Sequence, residues 1–272
     1  MIKADNRPAL VGLGYRHPFS PWIDTNPAGL ECLELTASHF SGGDLGRIDQ
    51  LAQRYPLIIH ALGCSVGTPG PMDVNEMRLL DDVIDVAKPL WLSDHIGFVR
   101  TPEANLGHFC PLVPNSENVA IVADHAAELS DRFGVPVILE NATSHIQVKG
   151  PLADTDFINL ICERGNCGLL LDVTNLYINS QNHGFDPIGW LHELDAKIIK
   201  QLHVVGYAQV ENLYFDTHSE KIDKPLWGLI REVASYASVE AVILERDSNF
   251  PPPQELVDEL IQLKQLFSRT DN

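Results

Sequence analysis

Eight short apolar runs punctuate the chain, and each is followed by a polar stretch and then, in most cases, a segment with helical spacing. The runs are Leu10 to Tyr15, Leu30 to Thr36, Leu57 to Leu62, Leu90 to His95, Pro136 to Asn141, Gly168 to Val173, Lys200 to Gly206 and Ala241 to Arg246. Helical candidates between and after them are Asp44 to Arg54, Asp73 to Ala87, Ser116 to Phe133, Thr155 to Glu163, Asp186 to Leu194, Pro225 to Ala237 and Pro253 to Phe267. Fully apolar runs alternating with amphipathic segments are the pattern of parallel strands covered by helices. Eight such units predict an α/β fold, a single (β/α)8 TIM barrel spanning residues 1–272. The length suits one barrel of this kind. A doubly wound open sheet would be expected to carry a glycine-rich phosphate turn after its first strand, and Gly12-Leu13-Gly14 stops short of one.

Charge and composition narrow the function. The chain has 37 acidic and 19 basic residues, a formal net charge of −18, which repels a phosphate backbone and argues against a nucleic-acid partner. The first residues are charged where a secretory signal needs an apolar core, and no window approaches the ~18 apolar residues of a membrane span. The five cysteines form an odd set without a C-x-x-C pair, so no disulfide framework is expected. A cytoplasmic protein without a membrane partner is the expectation. The longest irregular stretches, 63–72, 99–115 and 206–224, are candidate active-site loops.

The chemistry is concentrated where apolar runs end. Glu34, His60, His95, Glu140, Asp172 with Asn175, His203 and Glu245 each stand at or near a run's carboxyl end, the end at which barrels build their sites. Asp216-x-His218 follows in the loop after His203. A carboxylate or imidazole left unpaired at the end of a core strand costs several kcal/mol, and metal coordination would offset that cost. Nitrogen and oxygen donors without a thiolate cluster suit zinc, iron or manganese. The donors exceed one ion's needs, and Glu140 is the natural bridging carboxylate of a centre with two or three ions. Asp216 and His218, two apart on an extended segment, would point the same way and close a further site.

Other residues carry more than one reading. Glu34 is a ligand, a substrate-binding group, or a salt-bridge partner for a strand-end arginine such as Arg246. His108, in Gly107-His108-Phe109-Cys110, lines a substrate cavity or belongs to an ordinary loop. Arg246 and Asp247 are the catalytic candidates, orienting substrate beside Glu245, or they form a strand-end ion pair. His17, His125, His183 and His192 read as surface or hydrogen-bonded core residues, while His39 and His145 stay open. Cys64 or Cys110 beside a histidine could act as a nucleophile only if folding brought such a pair together.

With these residues in view, the chain resembles the DUF692 family, the multinuclear non-heme iron-dependent oxidative enzymes of the xylose-isomerase-like barrels. The resemblance runs nearly end to end. It rests on Gly12-Leu13-Gly14-Tyr15-Arg16, Glu34 with His39-Phe40, Ser93-Asp94-His95, Leu139-Glu140-Asn141, Leu171-Asp172-Val173-Thr174-Asn175, His203-Val204-Val205-Gly206-Tyr207, Asp216-Thr217-His218 and Glu245-Arg246-Asp247. It implies two or three iron ions of mixed Fe(II)/Fe(III) state, dioxygen as co-substrate, and oxidation of residues, commonly cysteine, in a ribosomally made precursor peptide. A peptide-recognition partner protein is also implied. By position, His60, His95 and Glu140 would hold one iron, Glu140, Asp172, His203 and Glu245 a second, and Asn175, Asp216 and His218 a third. In related zinc-dependent DNA-repair endonucleases the position of Asn175 is a histidine, so the amide here should loosen the third ion. A zinc or manganese hydrolase or isomerase on the same barrel, and a metal-binding scaffold without turnover, are the competing expectations.

Overall fold

A computed structural model describes residues 8–101 and 103–268. Its strands are β1 (Leu10–Gly14), β2 (Cys32–Thr36), β3 (Leu57–His60), β4 (Leu92–His95), β5 (Phe98–Arg100), β6 (Asn105–Cys110), β7 (Val137–Glu140), β8 (Gly168–Asp172), β9 (Ile199–Val204), β10 (Gly206–Val210), β11 (Leu213–Glu220) and β12 (Ala241–Leu244). Eight of them form a closed barrel in the order β1-β12-β9-β8-β7-β4-β3-β2. The TIM-barrel expectation is met, and every barrel strand falls inside or within one residue of a run read from the sequence. Strand β1 explains the first glycine of Gly12-Leu13-Gly14. A Cβ on Gly12 would lie 2.6 Å from the carbonyl oxygen of Cys32 and 2.9 Å from Ile243, so glycine lets the neighbouring strands approach.

By contact density the chain divides into two compact units, one comprising residues up to Glu34 together with Leu171 onward, the other Leu35–Leu170. In the first, Val11, Leu13, Leu202, Val242, Ile243 and Leu244 are fully or almost fully buried. In the second, Ile58, Ile59, Leu92, Ile138 and Leu139 are equally buried. Each such side chain contributes roughly 1.5–3 kcal/mol by leaving water.

The helices start where the sequence supplies caps. The Asp73 carboxylate accepts the N–H groups of Asn75 and Glu76 at the head of helix Val74–Ala87. Asn115 caps Ser116–Phe133, and Asp223 caps Lys224–Tyr236. Gly134, at φ 66°, ends the second of these.

Three departures from the sequence reading matter for the site. The candidate loops at 99–115 and 206–224 contain antiparallel hairpins, β5 with β6 and β10 with β11. Residues 173–183, of which only Val173 belonged to a run read from the sequence, form a helix capped by Asp172, whose Oδ1 accepts the Asn175 N–H at 2.7 Å. His218 adopts φ 47°, a left-handed conformation that breaks the simple alternation expected of Asp216-x-His218. No helix among the described residues is long and apolar enough to cross a membrane.

Candidate metal centre

Within the unit Leu35–Leu170, β3, β4 and β7 each end in a donor: His60, His95 and Glu140. One ligand atom from each lies within 4.8 Å of the others. Glu140 Oε2 is 3.5 Å from His60 Nε2 and 3.3 Å from His95 Nε2. These separations are long for hydrogen bonds and match the edge of a tetrahedron of donors about 2.1 Å from a shared ion, roughly 3.4 Å. The surroundings fix the rings. His60 Nδ1 meets Ser93 Oγ at 2.8 Å, leaving Nε2 toward Glu140. Phe109, on β6, stacks on His95 with ring centroids 3.9 Å apart. Asp94 turns the other way, accepting the N–H groups of Cys64 and His95.

The other unit holds a second and a third trio, Glu34, His203 and Glu245, and Asp172, His218 and Glu245, each with donors within 4.8 Å of one another. Glu34 is 2% exposed, and both its oxygens are engaged: Oε1 meets His203 Nε2 at 2.8 Å, and Oε2 accepts from Gln201. That arrangement gives Glu34 His203 as its basic partner, in place of a strand-end arginine such as Arg246. It holds the imidazole so that Nδ1 faces Glu245 Oε2 at 3.1 Å, the role of a carboxylate behind a metal-binding histidine. Gln201, two residues before His203 on the same face of β9, was missed from the sequence; strand alternation was the available signal.

Asp216 Oδ1 lies 2.6 Å from His218 Nε2, so the pair is brought together in spite of the left-handed residue. On its other nitrogen His218 meets Asp247 Oδ2 at 3.0 Å and Glu245 Oε2 at 3.4 Å. Burial alone would lower the His218 pKa, but Glu245, Asp216 and Asp247 outweigh it and raise it well above the usual imidazole value. Burial likewise disfavours the ionised Glu245, yet His203, His218 and Arg16 hold its carboxyl well below the usual range. A cluster of acids that favours the charged form of a half-buried histidine is one that favours a cation. With nitrogen and oxygen donors alone and this spacing, the residues fit divalent metal ions. Asn175 is 3% exposed, one turn along the helix that Asp172 caps.

The catalytic candidates separate. Asp247 joins the cluster through His218 and Arg16. Arg246 turns elsewhere: it is 2% exposed and donates to Glu259 Oε2 at 3.1 Å, to Glu255 at 3.4 Å and to the Ser219 carbonyl. Its side chain forms a strand-end ion pair, which corrects the substrate-orienting reading. His108 is exposed on β6, its Nδ1 3.4 Å from Cys110 Sγ. His125 is buried with both ring nitrogens on the carbonyls of Val66 and Gly70, as a core histidine should be. His39 and His145 are exposed. All five cysteines are free thiols.

Nitrogen and oxygen donors gathered at the carboxyl ends of barrel strands make this a TIM-barrel protein with candidate metal sites. Residues 10–268 match the family described as the RiPP precursor modification enzyme MbnB/TglH/ChrH. The chain belongs to that family of enzymes acting on ribosomally made precursor peptides. It is 32% identical over 260 residues to a UPF0276 protein of Rhizorhabdus wittichii, covering 93% of this chain and 92% of the relative. A UPF0276 protein of Shewanella sediminis is 32% identical over 263 residues, covering 94% and 93%. Among solved structures, the TTHB071 protein from Thermus thermophilus, soaked with ZnCl2, superposes with a TM-score of 0.60 at 16% identity, covering 96% of this chain and all of that one. Endonuclease IV from the same organism gives 0.54 at 14% identity over 95% and 97% of the two chains. Both likenesses show the TIM-barrel fold and nothing finer.

Proposed function

We propose that this protein is a multinuclear non-heme iron-dependent oxygenase or oxidase that modifies residues, cysteine above all, of a ribosomally synthesised precursor peptide. The observation that carries the reading is the set of buried donor trios at strand ends in a member of a precursor-modifying family. His60, His95 and Glu140 hold one ion. Asp172, His203 and Glu245, and Asn175, Asp216 and His218, hold one or two more. Iron there supplies redox chemistry with dioxygen as co-substrate, acting on a cysteine-containing peptide that a recognition partner protein presents.

The chain's own residues then have definite work. Glu34 and Gln201 orient His203, and Asp247 orients His218 by accepting from Nδ1. Phe109 covers one face of His95 and keeps water from it. His108, exposed on the same hairpin, would meet the peptide.

The test is elemental analysis of protein purified without oxygen, followed by incubation of the iron-loaded form with a candidate cysteine-bearing precursor peptide and dioxygen. A mass change in the peptide that requires iron and oxygen supports the reading. Turnover of a sugar phosphate or ester by zinc- or manganese-loaded protein, insensitive to oxygen, would replace it with the hydrolase or isomerase alternative. That alternative draws on the zinc-soaked neighbour and on the resemblance to a sugar phosphate isomerase/epimerase from Parabacteroides distasonis, TM-score 0.58 at 11% identity over 97% and 98% of the chains.

A further inference from the structure

Arg16 follows β1 directly and carries none of the roles assigned so far. Its side chain is buried, about 10% exposed, among acids. Nη2 donates to Glu245 Oε1 at 2.8 Å, Nε donates to Asp247 Oδ1 at 2.6 Å, and Nη1 donates to the backbone carbonyl of Tyr15 at 3.0 Å. Each carboxylate it grips has its second oxygen committed to a histidine. Glu245 Oε2 faces His203 and His218, and Asp247 Oδ2 faces His218 Nδ1. One guanidinium therefore sets the rotation of both carboxylates about their own bonds. The Tyr15 carbonyl fixes the third edge of the fork, and the Tyr15 N–H is in turn held by the Glu34 carbonyl at 2.7 Å. A Cβ on Gly14 would lie 3.2 Å from Arg16 Nη1, so the second glycine of the β1 motif keeps room for this arginine.

We propose that Arg16 is a positioning residue for the metal centre, fixing Glu245 with Oε2 turned to the histidines and, through Asp247, fixing His218 with Nε2 turned to Asp172 and Asp216. The inference rests on the metal reading given above. Its sign is unusual and makes it testable. A cation this close to a metal site opposes metal binding by charge alone, so an arginine that served only as counter-charge would, once removed, leave the site binding cations more tightly. A positioning arginine does the reverse: its loss frees two carboxylates to rotate and repel, and outer partners of this kind are worth about 10–100-fold in metal affinity. Lysine keeps the charge but donates from a single point, so it cannot grip both acids at the two fixed edges that the fork supplies.

The experiment titrates Zn(II), and separately anaerobic Fe(II), against a chromophoric chelator with the wild type, Arg16→Lys, Arg16→Gln and Asp247→Asn, melting each metal-free protein in parallel. The expected result is an affinity lowered about 10–100-fold in Arg16→Gln and Arg16→Lys for the ions held by Glu245 and His218. The ion at His60, His95 and Glu140 should bind as in the wild type. Asp247→Asn, which keeps the Arg16–Glu245 pair, should weaken only the ion at His218. Tighter or unchanged binding in Arg16→Gln overturns the proposal, as does full rescue by lysine or an equal loss at all sites. If Arg16→Gln does not fold, the lysine and Asp247→Asn variants decide by the same criteria. A wild type that takes up neither metal sinks the metal reading itself, a separate outcome from wild-type uptake that Arg16 substitutions leave untouched.

Discussion

Glu259→Leu should destabilise the protein by about 3–5 kcal/mol, because it abandons a buried charge. Glu259 is 1% exposed and Arg246 2% exposed. The carboxylate receives Arg246 Nη2 at 3.1 Å on one oxygen and the Ile222 N–H at 2.9 Å on the other. Removing it strips the guanidinium of its closest ion partner and leaves the N–H unsatisfied. The remaining carboxylate, Glu255, sits at 3.4 Å and is partly exposed, so it compensates little. Unfolding entropy of roughly 2.1 cal/mol/K per residue over a chain of this length turns the loss into a melting decrease of about 5–9 °C. The pair has an apolar substitute: Arg246→Met with Glu259→Leu should recover most of the loss, since a buried ion pair often exchanges for well-packed apolar side chains at little net cost. Thermal melts of the two single variants and the double give the comparison. Metal content of the double variant gives the functional arm, and it should equal that of the wild type because Arg246 lies outside the donor cluster. A Glu259→Leu melt within 1–2 °C of the wild type, about 1 kcal/mol or less, would refute the energetic argument. A stable double variant that cannot hold metal would return Arg246 to the catalytic role first read from its place beside Glu245.

Burial, reinforced by Asp94 and Asp73, pushes the Glu76 carboxyl up to about 7 from 4.5. The folded state therefore holds an extra proton between those values, and stability falls as pH rises through the window. Glu76→Gln should remove that slope and look more stable, relative to the wild type, near pH 8 than near pH 4 in urea titrations; an equal difference at both would refute it. Glu140→Gln exchanges the one anionic donor of the His60–His95 trio for an amide and should lower metal content on elemental analysis, whereas full retention would mean that Glu140 is no ligand. Asn175→His should slow removal of the most labile ion by a gentle chelator while lowering peptide turnover, and faster removal would show that Asn175 does not face the metal.

The barrel was readable because its strands are buried on both faces and so appear as unbroken apolar runs, and the candidate donors stood out because they interrupt such runs toward one end. What stayed hidden depended on partners far away in sequence. Glu34 is claimed by His203, 169 residues on, and Arg16 by Glu245, 229 residues on. Nothing near Arg246 in sequence announces Glu259. The helix Val173–His183 escaped because Asn175, Asn179, Ser180, Gln181 and Asn182 give it the polarity of a loop. The hairpin strand β6 escaped because four of its six residues are exposed and no buried alternation marks it.

That helix has a consequence for anyone reshaping the protein. The Asn182 side chain gives its Nδ2 to the Tyr214 carbonyl and takes the Tyr214 N–H on Oδ1, both at 2.9 Å, so a side-chain amide pairs with β11 as a neighbouring strand would. Tyr177 on the helix meets Tyr207 and Tyr214 on the hairpin, with ring centroids 5.2 and 6.1 Å apart. Helix 173–183 and hairpin 206–220 thus form a single cassette whose ends carry Asp172 at one place and Asp216 with His218 at another. A chimera that imports only the hairpin from a relative would sever this clamp, while one that moves both segments together would keep Asn175 in its native relation to Asp216 and His218.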